Sequence, residues 1–162
     1  MTIDKQDVRI LVVDDDKELA DGLVESLSDI GYLAEAAYGG REGLNKFESG
    51  AFQLVITDLM MPDMGGMELL YAVKDLDSQV VVVVISGYGT IELAVKAIKN
   101  GAYDFIPKPV KLEEMEMIID RALERSKLFK QLGFFRGLTL ALVISVPAWL
   151  ILGIVLALLW KS

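Results

Sequence analysis

The segment Ile10-Leu11-Val12-Val13-Asp14-Asp15-Asp16 sets four apolar residues directly before three carboxylates. A continuous apolar run rich in β-branched residues marks a strand covered on both faces of a parallel sheet. Val80 through Ile85, followed by Ser86, repeats the pattern. With Arg9–Val13 and Val80–Ile85, the weaker runs Tyr32–Ala37, Leu54–Thr57 and Asp104–Ile106 predict five strands.

Helical periodicity fills the intervals: Lys17–Ile30, Arg41–Ser49, Met67–Leu76, Ile91–Asn100, and Leu112 to about Leu132. Leu19, Leu23, Leu27 and Ile30 recur at helical spacing, as do Leu93, Ala94, Ala97 and Ile98. Gly31 and Gly101 stand where left-handed C-caps are expected. Alternating β-α units predict right-handed crossovers and a three-layer α/β sandwich. The expected fold is a flavodoxin-like, doubly wound, five-stranded parallel sheet of order 2-1-3-4-5, followed by one C-terminal transmembrane helix. Such sheets bind ligands beyond the carboxyl ends of their strands.

Charge narrows the function. Residues 1–133 hold all 24 acidic residues and 14 of the 16 basic ones, a net charge of −10. So acidic a surface repels a nucleic-acid backbone, and no nucleic-acid partner is expected; it suits cations or basic protein surfaces. The chain has no cysteine and no histidine, which excludes disulfides, thiolate metal sites and histidine general-base catalysis. Met1 to Arg9 is polar, and the first apolar run is too short for a signal peptide, so the N-terminal domain is expected in the cytoplasm.

Four polar features fall on the ligand-binding edge. Asp14-Asp15-Asp16 follows the first strand, Asp58 the third, Ser86 the fourth and Lys108-Pro109 the fifth. Taken singly, each is an ordinary turn or N-cap feature. Together, on strands about 4.8 Å apart, they form a crowded carboxylate site that a cation must neutralise. Oxygen donors of this charge suit Mg²⁺, which keeps open positions for a phosphoryl group. Asp58 is then the nucleophile that forms an aspartyl phosphate. The metal and the Lys108 ammonium offset charge on the phosphoryl oxygens, and the Ser86 hydroxyl donates to one of them.

The segments Leu11–Asp16, Val55-Ile56-Thr57-Asp58-Leu59-Met60-Met61-Pro62-Asp63-Met64-Gly65-Gly66, Ile85–Thr90 and Gly101–Pro109 resemble response-regulator receiver domains of two-component systems. The resemblance runs from about Val8 to Arg125. It implies that Asp58 is the phosphoacceptor and that a sensor histidine kinase is the donor. Asp14 and Asp15 would hold Mg²⁺ with Asp58 and the Met60 backbone carbonyl. It also implies a phosphate-contacting Lys108, a cis bond to Pro109, and a switch pair of Ser86 and Phe105 that alters partner binding. Two departures stand out. Met60 and Tyr88, each two residues beyond a site residue, do not readily orient an attacking water, so slow self-dephosphorylation is expected. Phe105 also lacks the hydroxyl that many relatives carry there.

From Gly137 to Trp160 no residue is charged, and Leu138–Trp160 spans 23 positions. At about 1.5 Å per residue this is roughly 34 Å, enough for a hydrocarbon core of about 30 Å. Pro147 is tolerable in such a helix, and Phe134, Phe135 and Trp160 suit the interfaces. Arg121, Arg125, Lys127, Lys130 and Arg136 precede the span, against Lys161 after it. The positive-inside rule then puts the receiver in the cytoplasm as part of a single-pass protein of the inner membrane. The expected divisions are a receiver at 1–126, a basic juxtamembrane extension at 127–137 and a transmembrane helix at 138–160. The stripe Leu112, Met115, Ile119, Ala122, Ser126 and Phe129 packs the last helix on the sheet, with a homodimer as its alternative use.

These divisions leave no room for an output domain, so the signal is expected to pass to an unknown output protein, in the membrane or outside it. A haloacid-dehalogenase-type phosphatase is the competing enzyme class, with Asp14 as nucleophile and Asp16 beside it. Glu18 stands where such enzymes carry Thr or Val, and no cap domain is visible. A constitutive, unphosphorylated scaffold would have no use for the full acidic set.

Overall fold

The five strands are β1 (Arg9–Val13), β2 (Leu33–Ala37), β3 (Leu54–Asp58), β4 (Val81–Ser86) and β5 (Asp104–Pro107). All neighbours pair in parallel, in the order β2-β1-β3-β4-β5 expected from the sequence. The helices are α1 (Lys17–Asp29), α2 (Gly40–Lys46), α3 (Gly66–Leu76) and α4 (Ile91–Lys99), with α5 over residues 112–124. This computed structural model describes residues 5–48, 51–87 and 90–124.

Strand side chains alternate between two apolar layers. Ile10, Val12, Leu54, Ile56, Val83 and Ile85 meet Ala20 and Leu27 of α1 and Met115, Ile119 and Ala122 of α5. Leu11, Val13, Val55, Val82 and Val84 meet Leu69, Leu70 and Val73 of α3 and Ala97 of α4. Burial on both faces explains why β1 and β4 read as unbroken apolar runs; β3 is buried too, but ends in Thr57 and Asp58. Of the predicted α5 stripe, Met115, Ile119 and Ala122 are core residues and Leu112 is half-buried; Ser126 and Phe129 lie outside the described residues.

Small departures have local causes. Asp58 and Ser86 are the last residues of their strands rather than the first beyond them. Helix α2 stops at Lys46, short of the expected Ser49, because Phe47 turns to extended backbone. Its ring stacks on Phe52 at 6.3 Å between centroids, and both rings are buried. Gly31 and Gly101 do take positive φ, 102° and 99°. Leu19 and Ile98 share the helical spacing of core residues yet stand 51% and 45% exposed.

One compact unit ends at Glu124. The segments expected to form a basic extension (127–137) and a transmembrane helix (138–160), and Tyr88, lie outside the described residues. Among the described residues no helix is long and apolar enough to cross a membrane.

Candidate functional site

Strand register brings the site together at one edge of the sheet. Val13 pairs with both Ala37 and Thr57, Asp58 with Ile85, and Ser86 with Pro107. Asp14 leaves β1 with its N–H donating to the Ala37 carbonyl at 3.1 Å. Beyond Asp58, the Leu59 N–H donates to the Ile85 carbonyl at 2.9 Å, so the chain stays in line past the strand end.

The Asp triplet divides its labour. Asp14 is buried, Asp15 is exposed, and Asp16 caps α1 by accepting from the Glu18 and Leu19 N–H groups at 3.1 and 3.2 Å. One carboxylate oxygen of Asp16, the partner acid of the phosphatase alternative, is thus taken up by the helix cap. Asp58 is buried at 5% exposure. One carboxylate oxygen each from Asp14, Asp15 and Asp58 lies within 4.8 Å of the others.

Lys108 enters from beyond β5. Its N–H donates to the Ser86 carbonyl at 2.9 Å, and its peptide bond to Pro109 is cis. The ammonium lies 2.7 Å from Asp14 Oδ2 and 2.8 Å from Asp58 Oδ1. Burial acts to lower the Lys108 pKa, but its hydrogen bonds and ion pairs with Asp14 and Asp58 outweigh burial and raise it. The remaining oxygens are also engaged: Asp14 Oδ1 accepts from the Asp16 N–H at 3.0 Å, and Asp58 Oδ2 from the Met60 N–H at 2.9 Å. Three carboxylates against one ammonium leave two negative charges, which a divalent cation balances. The donors are all oxygen, so the residues fit Mg²⁺.

Residues 10–120 match the response regulator receiver domain. The chain belongs to this family. Nitrogen assimilation regulatory protein NtrX of Azorhizobium caulinodans is 37% identical over 132 residues, covering 80% of this chain and 29% of that protein. Response regulator protein TodT of Pseudomonas putida is 36% identical over 115 residues, covering 71% and 51% respectively. The chain thus spans between 29% and 51% of the length of these two relatives. Among solved structures, NtrX from Brucella abortus superposes with a TM-score of 0.74 at 38% identity, covering 79% of this chain and 30% of that one. A receiver domain protein from Clostridium thermocellum gives 0.72 at 31%, covering 75% and 98%. Receiver domains are the signalling modules of two-component systems, and the family uses Mg²⁺ at an acidic pocket.

In this receiver domain Ser86 is buried at the end of β4, and Phe105 is half-buried on the neighbouring strand. The Phe105 ring packs on the layer beneath α3 and α4. Met60 is 62% exposed, one hydrogen bond from the Asp58 carboxylate. Gly66 is the contributor that residue-by-residue reading missed. A Cβ there would sit 2.1 Å from the Asp58 carbonyl oxygen, so only glycine lets α3 start against the strand that carries Asp58. Its signal was the Gly65-Gly66 pair eight residues beyond a strand-end aspartate. Beside Lys108, a hollow of about 560 Å³ runs between α1 and the start of α5, which accounts for the exposure of Leu19 on its wall.

Proposed function

We propose that this receiver accepts a phosphoryl group on Asp58 from a sensor histidine kinase and thereby switches its binding to an output protein, while residues 138–160 anchor it in the cytoplasmic membrane. One observation carries the first half: a buried Asp58 that shares the Lys108 ammonium with Asp14, at the centre of three converging carboxylates. A carboxylate oxygen of Asp58 attacks phosphorus, and the bond from phosphorus to the donor nitrogen breaks as the donor leaves. Lys108 stays within reach of the incoming oxygens and holds charge beside them. A Mg²⁺ ion bound by Asp14, Asp15, Asp58 and the Met60 carbonyl supplies further charge neutralisation. Ser86 then donates to a phosphoryl oxygen, and Phe105 on the adjacent strand turns inward, altering the surface that a partner reads. The acidic surface favours a basic protein partner over nucleic acid.

Incubating the chain with Mg²⁺ and a small phosphodonor tests this. Wild type should gain one phosphoryl group and Asp58→Asn none; equal labelling of the two would assign the acceptor elsewhere. The uncharged run Gly137–Trp160 and the basic residues before it support the anchor. Carbonate-washed membranes should retain the chain, with the receiver open to protease from the cytoplasmic side. Complete release by carbonate would refute the anchor.

A further inference from the structure

The chain has seven methionines and no cysteine, so a peroxide finds thioethers but no thiol. Four of the seven, Met60, Met61, Met64 and Met67, fall in the loop and first helical turn after Asp58. They differ in access. Met61, Met64 and Met67 are half-buried against the core, and Met115 is fully buried. Met60 is 62% exposed, more than any other methionine among the described residues, with Met117 next at 50%. With Met61 and Met67 it lines an open hollow of about 610 Å³. Its backbone is fixed beside the reacting group, since its N–H donates to Asp58 Oδ2 at 2.9 Å.

From this geometry we infer that Met60 is a redox modification site whose oxidation shortens the life of the phosphoryl group on Asp58. The inference rests on the reading of Asp58 as phosphoacceptor. A peroxide transfers one oxygen atom to the Met60 sulfur; the O–O bond breaks, sulfur loses two electrons and the peroxide is reduced to water or an alcohol. A thioether is a weak acceptor, whereas the sulfoxide oxygen is polar and accepts strongly. Held one residue beyond Leu59, it accepts a hydrogen bond from a water aligned on phosphorus. That water's oxygen attacks, the bond from phosphorus to the Asp58 oxygen breaks, and inorganic phosphate leaves carrying both protons of the water. A sulfoxide on a side chain this exposed leaves the apolar layers intact, unlike one on Met61, Met64 or Met67. Sulfoxide reductases make the change reversible.

The purified full chain is treated with graded hydrogen peroxide, mapped by peptide mass spectrometry, then labelled with a small phosphodonor and Mg²⁺. Met60 sulfoxide should form ahead of the half-buried and buried methionines. The phosphoryl lifetime should fall by roughly fivefold, the rate equivalent of one modest hydrogen bond to the attacking water. It should track oxidation of Met60, not of Met117, return with sulfoxide reductase, and leave the unfolding temperature unchanged. Met60→Gln should decay faster than wild type without peroxide, and Met60→Leu should decay alike with and without it. Unmodified Met60 when Met117 is oxidised, or an unchanged lifetime when Met60 is converted, would overturn the inference. No label on the untreated chain would instead overturn the phosphoacceptor reading, and the lifetime effect with it.

Discussion

The Lys108 ammonium lies 2.8 Å from Oδ1 of Asp58 and holds the carboxylate at the end of β3 against its neighbour Asp14. Replacing Lys108 with Met keeps most of the side chain's bulk but removes the charge that faces both carboxylates. Phosphoryl uptake should fall by about 10²-fold, the usual loss when one preorganised electrostatic donor is removed. Circular dichroism should remain that of the wild type. Uptake at the wild-type rate would show that Lys108 only balances charge in the resting state.

A divalent cation that binds the folded carboxylate cluster and not the unfolded chain must raise stability. At a concentration of about 100 times its Kd, Mg²⁺ should add about 2.7 kcal/mol, read as a rise in unfolding temperature. Asp15 is exposed, so Asp15→Asn should leave the metal-free unfolding temperature near that of wild type and reduce the Mg²⁺ increment. An undiminished increment would remove Asp15 from the metal site.

Gly66→Ala and Gly22→Ala should move stability in opposite directions. The new methyl at Gly66 meets the Asp58 carbonyl, whereas at Gly22 on α1 nothing lies within 4 Å. Overpacking at Gly66 should cost about 1–3 kcal/mol and slow phosphoryl uptake, because Asp58 itself must shift. Gly22→Ala should gain about 0.5–1 kcal/mol from helix propensity. Denaturant melts separate the two outcomes, and a neutral Gly66→Ala would mean that α3 adjusts freely.

Alkaline stability should depend on Tyr32. Its hydroxyl donates to Asp120 Oδ1 at 2.7 Å, tying the connection between α1 and β2 to α5. Burial, then the bond to Asp120, raises its pKa above the ordinary tyrosine value. The unfolded chain therefore loses this proton first, and the contribution is present below about pH 10 and is lost as pH rises beyond it. Lys108, also raised, acts in the same direction, so some alkaline loss should persist in Tyr32→Phe. That variant should be less stable by about 1 kcal/mol at neutral pH and flatter above pH 10. An unchanged alkaline slope would contradict the assignment.

The sheet was legible because β1 and β4 are buried on both faces, which leaves an unbroken apolar signature in the chain, with the weaker runs filling the alternation between helices. The position of the candidate site residues was legible for a related reason: strand ends carry their last and next residues to a shared edge, so Asp14, Asp58, Ser86 and Lys108 could be set at that edge from sequence order. Depth was harder to read. Spacing gives Leu19 and Leu27 the same standing, yet Leu19 opens onto a hollow while Leu27 is fully buried. Close approaches were hidden as well. Nothing in the residue type at Gly66 says that a helix must press on the Asp58 carbonyl, and nothing in Phe47 says that it will leave α2 to stack on Phe52.

Strand β4 has a consequence for the chain before it is finished. From Ser78 to Ile91 there is no charged residue, and the stretch holds five consecutive valines, Val80 to Val84. In the folded unit every residue of β4 is buried between β3 and β5, and Val81, Val83 and Ile85 share a layer with α5. On the ribosome, however, β4 emerges before β5 and α5 exist to cover it. An uncharged, proline-free run of strand formers with an open ladder is a template for other copies of itself. Nascent or clipped chains that lack α5 should therefore aggregate through this segment rather than remain as dispersed, unfolded monomers. The valines that secure the finished sheet make the unfinished one adhesive.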